Sequence, residues 1–94
     1  MLARNDGAHL VWVPPSLTFT SRSGQVATIT YRHHADGDTT ITRDTCTKVH
    51  IARITYIDSG IWEVFNGRKR GTCSFTATNF VRKARGTLDI TNQV

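Results

Sequence analysis

The feature that most constrains the fold is a two-residue alternation of apolar and polar side chains that recurs along the chain. In one example, Ala27, Ile29 and Tyr31 alternate with threonines. Successive side chains of a β-strand point to opposite faces, so this pattern indicates strands with one buried face. Nowhere do apolar residues recur at i, i+3, i+4 and i+7 over the length of a helix. Fifteen threonines and a single glutamate agree with β-structure.

The alternation predicts an all-β fold, a small β-sandwich or barrel of seven to eight short, mostly antiparallel strands. Residues 1–94 form a single domain in this interpretation, and residues 1–8 are compatible with a flexible N-terminal arm. A chain of this length buries roughly 60 to 65% of its unfolded surface, which gives a thin core. The predicted strands are 9–13, 17–21, 25–34, 39–44, 46–57, 61–65, 68–81 and 87–90.

Turn signals separate these strands. Asp36-Gly37 predicts a hairpin that joins the third and fourth strands, and Asn66-Gly67 predicts a second hairpin that places Glu63 opposite Arg70. Further turns are predicted at Asp58-Ser59-Gly60, with the glycine in the left-handed conformation, and at Ala84-Arg85-Gly86, while Pro14-Pro15 indicates a sheet edge or corner.

The long apolar segment 46–57 loses its alternation at Arg53. Val49 and Ile51 share one face, whereas Ile54 and Tyr56 fall on the other. One extra residue at this point would restore a single apolar face, so we expect a β-bulge or a strong bend at Ala52-Arg53.

The chain contains two cysteines, Cys46 and Cys73, and both fall in predicted strands. A disulfide between them would close a loop of about 28 residues and contribute roughly 3 to 4 kcal/mol. We predict this disulfide, and with it a secreted or extracellular protein. The alternative is a cytoplasmic protein with a native Met1 and two free thiols. The N-terminal sequence does not resemble a signal peptide, and no apolar run is long enough to span a membrane.

The charge is concentrated in one part of the sequence. The formal net charge is +5, and half of the twelve Lys and Arg residues lie within 65–86, a segment without carboxylates. They form two triplets, the first of Arg68, Lys69 and Arg70 and the second of Arg82, Lys83 and Arg85. A positive surface favours an anionic macromolecule or an acidic protein surface as partner, and nucleic acid is included in that class. Phe80 is a candidate for stacking on bases. The candidate binding residues are therefore Arg68, Lys69, Arg70, Phe80, Arg82, Lys83 and Arg85.

These triplets would lie at opposite ends of one strand. In the alternative interpretation, both triplets are ordinary charged hairpin tips that protect the sheet edges and bind no partner.

No catalytic or metal-binding motif stands out. Adjacent strand residues point to opposite faces, so His33 and His34 are not expected to share a metal site, and no cofactor is expected. A basic ribonuclease needs a base, an acid and a phosphate-binding cation. The chain contains such residue types in Glu63, His33 and Arg70.

The sequence thus favours a non-enzymatic, small, basic, secreted binding protein of the effector, toxin or inhibitor type. The alternative is a nucleic-acid-binding module or a ribonuclease that uses Glu63 with a histidine and Arg70. The oligomeric state does not follow from the sequence.

Overall fold

The computed structural model describes residues 9–21, 24–31 and 38–94, and these form an all-β fold. No described residue belongs to a helix, so the described chain supplies no helix that could cross a membrane. The eight strands of the described residues are β1 (Leu10–Val13), β2 (Ser16–Phe19), β3 (Gln25–Tyr31), β4 (Thr39–Asp44), β5 (Ala52–Asp58), β6 (Ile61–Asn66), β7 (Gly71–Asn79) and β8 (Ala84–Asn92).

The strands form two four-stranded sheets, in the orders β1-β3-β6-β5 and β2-β8-β7-β4. All neighbours are antiparallel except β2 and β8, which are parallel. The fold is therefore a sandwich rather than a closed barrel. Its strand order is that of an immunoglobulin-type sandwich whose first strand is divided between the two sheets. The chain changes sheets at Pro14-Pro15, the predicted corner, where the Val13-Pro14 peptide bond is cis.

The predicted hairpin between the third and fourth strands does not form, because β3 and β4 belong to different sheets. β3 is paired on both sides, with β1 and with β6, whereas β4 pairs with β7. No edge of β3 is left for β4 to join. The predicted turn residues Asp36-Gly37 themselves lie outside the described residues.

The predicted hairpin at Asn66-Gly67 is also wrong, because β6 and β7 belong to different sheets. The backbone N–H of Gly67 donates instead to the carbonyl oxygen of Ile51, at 2.8 Å. A Cβ at position 67 would lie 2.1 Å from the carbonyl oxygen of His50, so only glycine fits this crossing point. Glu63 accordingly pairs with residues of β3 and β5 and not with Arg70.

The segment 46–57 is not one strand. No β-bulge lies at Ala52-Arg53, whereas the bend expected as the alternative occurs just before these residues, at 47–51. Residues 47–50 form a turn, in which His50 has a φ of 61°, and β5 begins only at Ala52. β5 then pairs regularly with β6 as far as Tyr56, and the register shift lies between Tyr56 and Asp58. The alternation changes at Arg53 because a turn, not an extra strand residue, precedes β5.

The turn between β7 and β8 lies at residues 80–83, ahead of the predicted Ala84-Arg85-Gly86. The side chain of Asn79 accepts a hydrogen bond from the backbone N–H of Arg82 at 2.8 Å, and this bond closes the turn early. Val81, the last residue of the predicted strand 68–81, lies in this turn and is exposed. The turn predicted at residues 58–60 is confirmed, with a φ of 77° at Gly60.

The core lies between the two sheets. The predicted disulfide between Cys46 and Cys73 is confirmed and lies at the edge of this core. Cys46 is fully buried and bonds to Cys73 of β7, with the Cα atoms 5.1 Å apart. The bond attaches the segment that follows β4 to the neighbouring strand. The largest fully buried apolar side chains are Trp12, Ile29, Val64, Phe75, Leu88 and Ile90.

Removing the disulfide should destabilise the protein without changing its fold. We expect the double variant Cys46→Ala and Cys73→Ala to lose about 3 to 4 kcal/mol of unfolding free energy, because the unfolded chain regains the freedom of the closed loop. Chemical denaturation, followed by the emission of the buried Trp12, measures the change. Reduction of the wild-type protein should produce a similar loss, and a loss below about 1 kcal/mol in both experiments would contradict the entropic account.

Candidate functional site

An open groove of about 1000 Å³ lies at one end of the sandwich, where β6 ends and β5 begins. Among the described residues, eight line the groove, and four of these are basic and none is acidic. We call it the basic groove. Its lining residues are Thr47, His50, Ala52, Arg53, Asn66, Gly67, Arg68 and Lys69.

Two backbone segments carry most of these side chains, and hydrogen bonds join the segments directly. One is the 47–50 turn with the start of β5, and the other is the crossing segment 67–70 between the two sheets. The N–H of Gly67 donates to the carbonyl of Ile51, at 2.8 Å, and the N–H of Lys69 donates to the carbonyl of His50, at 3.1 Å. The cations on one segment are thereby held beside those on the other.

The side chain of Asn92, from the last strand, fastens both segments from inside the protein. It is 1% exposed, and its amide nitrogen lies 3.2, 3.1 and 2.9 Å from the carbonyl oxygens of Ile51, Gly67 and Lys69, which share its two N–H groups. Its oxygen accepts a bond from the amide of Asn66 at 3.2 Å. One buried amide thus joins backbone carbonyls from two loops, in addition to the bond that the Ile51 carbonyl accepts from the Gly67 N–H.

Asp44 holds the opposite side of the 47–50 turn. One carboxylate oxygen accepts hydrogen bonds from the N–H groups of Cys46, at 2.8 Å, and Thr47, at 3.0 Å. The other accepts a bond from the Thr47 hydroxyl at 2.5 Å. The carboxylate of Asp44 therefore forms hydrogen bonds within the turn that follows it, and the disulfide at Cys46 holds the same turn covalently.

The Arg53 side chain is held against an aromatic ring. Its guanidinium carbon lies 5.2 Å from the centre of the Phe65 ring, on the adjacent strand β6. A guanidinium over a ring face gains about 0.5 to 1 kcal/mol at an exposed site and still presents its N–H donors. Arg53 therefore adds a preoriented cation to the groove.

The basic groove offers several cationic hydrogen-bond donors to an anion. Arg and Lys donate charge-assisted hydrogen bonds to phosphate, sulfate or carboxylate groups. The lining residues place no carboxylate beside His50, so an acid and base pair is not assembled in the groove. The described residues also contain no cluster of three potential metal ligands.

The structure separates the two predicted basic triplets. Arg68 and Lys69 line the groove, and Arg70 is exposed beside them without lining it. The second triplet, Arg82, Lys83 and Arg85, lies beyond the other end of β7. The nine residues of β7 span roughly 30 Å.

Phe80 lies beside the second triplet and is 65% exposed. Of the residues considered for a ribonuclease, Glu63 lies in mid-strand between Val26 and Thr55, and His33 is outside the described residues. No signal in the sequence indicates that Thr47, His50 and Arg53 lie beside Arg68 and Lys69, because no local pattern shows which loops meet at the end of a sandwich.

Replacing Asn92 with alanine should disturb the groove and the fold together. We expect a loss of about 2 to 4 kcal/mol in unfolding free energy, because several buried carbonyls lose their only side-chain donor. Chemical denaturation measures this. Gln93→Ala is the matched control, since that side chain is exposed and its backbone bond to Phe19 is kept, and it should change the stability by less than about 0.5 kcal/mol. Equal stabilities for the two variants would show that the amide does not hold the loops.

Comparison of the chain with protein-family models, with curated proteins and with solved structures finds no match to any of them. The function is therefore inferred from the groove itself.

Proposed function

We propose that the protein is a non-enzymatic binding domain whose basic groove holds an anionic macromolecule. The observation that carries the proposal is the convergence of Arg53, Arg68 and Lys69 in a groove to which the described residues contribute no carboxylate. The two loops that carry these cations are fixed by the Asn92 amide and by direct backbone hydrogen bonds. Little backbone ordering is then left for the moment of binding.

A polymer suits this groove better than a single small anion. Arg53, Arg68 and Lys69 are all solvent-exposed, and an exposed ion pair contributes only about 0 to 1 kcal/mol. Useful affinity therefore requires several negative charges on one partner. A sulfated polysaccharide, a polyphosphate, a nucleic-acid backbone or an acidic segment of a protein has that property.

We also propose that the protein acts outside the reducing cytosol. The disulfide between Cys46 and Cys73 supports this, because such bonds persist mainly in oxidising compartments. A small extracellular domain with a rigid basic surface fits an effector, toxin or inhibitor that acts by attaching to its target.

Removing the groove cations should weaken binding to a polyanion. We expect the triple variant Arg53→Ala, Arg68→Ala and Lys69→Ala to bind a heparin column or a fluorescent polyphosphate more weakly than the wild-type protein. The affinity of the wild-type protein should fall as salt rises, and the slope of log K against log salt should decrease by roughly two to three in the variant. Titrations at several salt concentrations measure both quantities.

The matched control removes three cations outside the groove, in the variant Arg43→Ala, Lys83→Ala and Arg85→Ala. Both triple variants lower the formal net charge of +5 by three, so general attraction is reduced equally. If the groove is the site, only the groove variant loses most of its affinity. Equal losses in the two variants would mean that net charge alone attracts the polymer.

The ribonuclease alternative makes a different prediction. We expect no cleavage of a fluorogenic RNA by the wild-type protein, because the described structure does not place Arg70 opposite Glu63. Cleavage by the wild-type protein that is abolished in Glu63→Gln but retained in the groove variant would favour the enzyme. Thr55→Ala, on the strand beside Glu63, is the control for structural disturbance.

A further inference from the structure

The turn between β7 and β8, at the end of the sandwich away from the basic groove, exposes two adjacent apolar side chains. Phe80 is 65% exposed and Val81 is 70% exposed, the highest fractions among the large hydrophobic side chains of the described residues. We call this pair the apolar tip. Placing a phenylalanine and a valine together in water is unfavourable unless a partner covers them, which makes the tip a candidate contact site.

The exposure of the tip is built into the turn. Asn79, which is fully buried, accepts a bond from the N–H of Arg82 at 2.8 Å and donates to the hydroxyl of Thr39 at 3.1 Å. That hydroxyl lies 2.6 Å from the hydroxyl of Tyr31, and the Arg82 guanidinium packs 5.7 Å from the Tyr31 ring centre. A buried polar network thus fixes the base of the turn, and the tip points outward from it.

Two cations flank the apolar tip. Lys83 and Arg85 are exposed, and together with Phe80 they border a small hollow of about 230 Å³. The segment 78–86 contains no carboxylate, and Asp38, which directly precedes β4, lies near this end of the sandwich. The tip therefore combines protruding apolar groups with positive charge directly behind them.

We propose that the apolar tip docks on a bilayer that contains anionic phospholipids. Phe80 and Val81 enter the boundary between headgroups and acyl chains, while Lys83 and Arg85 contact the lipid phosphates. Peripheral membrane proteins combine these two contributions, buried apolar area and attraction to anionic headgroups. A single-stranded nucleic acid would use Phe80 for stacking but would leave Val81 without a role, so the pair of side chains favours the membrane.

Sedimentation with large vesicles of phosphatidylcholine, with and without phosphatidylserine, tests the proposal on the full chain. The wild-type protein should bind the phosphatidylserine vesicles and bind the pure phosphatidylcholine vesicles much more weakly. The variant Phe80→Ser and Val81→Ser should weaken binding to the anionic vesicles by about tenfold or more. Lys83→Ala and Arg85→Ala should each weaken it by about fivefold, which corresponds to about 1 kcal/mol per cation.

Two control variants separate the tip from the rest of the surface. Val49→Ser removes an exposed valine from the 47–50 turn at the opposite end and should leave vesicle binding unchanged. Arg68→Ala with Lys69→Ala should weaken polyanion binding and keep most of the vesicle binding, so the tip and the basic groove are tested independently. The tip variant should retain heparin binding, which also shows that it is folded.

Three outcomes overturn the proposal. The first is equal vesicle binding by the wild-type protein and the tip variant, and the second is equal binding to vesicles with and without phosphatidylserine. The third is a weak vesicle signal that is unaffected by Val81→Ser, combined with binding of a single-stranded oligonucleotide that depends on Phe80. That third result would identify the tip as a base-stacking site.

Discussion

The groove end of the structure depends on one buried side chain, the amide of Asn92. It lies at the end of the last strand and donates to carbonyl oxygens of both loops that form the basic groove. Without this donor, the carbonyls of Ile51, Gly67 and Lys69 would each lose a partner, and the bond to Ile51 is buried. The cost of leaving buried polar groups unpaired exceeds the gain from an average hydrogen bond, so the loops are held where the amide can reach them. Placement of the groove cations follows from this constraint.

The same device recurs at the opposite end of the sandwich with a different result. Asn79 is buried beneath the β7–β8 turn and links it to Thr39, as Asn92 links the loops of the groove. In both places an asparagine satisfies backbone or hydroxyl groups where a hairpin or a crossing segment leaves the sheet. Fixing the backbone from below allows the side chains above it to face solvent. The groove end presents cations in this way, and the turn end presents Phe80 and Val81.

Period-two alternation predicted the strands because side chains alternate between the two faces of a strand. The cysteine pair predicted the disulfide because two cysteines allow only one pairing. Two predicted hairpins, β3–β4 and β6–β7, are wrong because a turn signal shows where the chain bends and does not show which sheet the next strand joins. At Gly67 the glycine is required by the nearby carbonyl of His50 rather than by a two-residue turn. Arg53 breaks the alternation because a turn precedes it. Asn79 and Asn92 carry no signal in the sequence, since an asparagine in a strand usually indicates an exposed or terminal position.

The two basic triplets are better understood as parts of separate surfaces than as one extended site. The strand between them, β7, contains no charged residue and separates them by roughly 30 Å. On the neighbouring strand β8, Asp89 is exposed and lies opposite Ser74, so a polyanion that followed the outer face of this sheet would pass a negative charge midway. Screening at physiological salt, with a Debye length of about 8 Å, prevents either triplet from attracting a ligand bound at the other. A ligand in the basic groove therefore gains little binding energy from Lys83 and Arg85. In our proposal, these two cations instead contact the membrane surface on which the apolar tip docks.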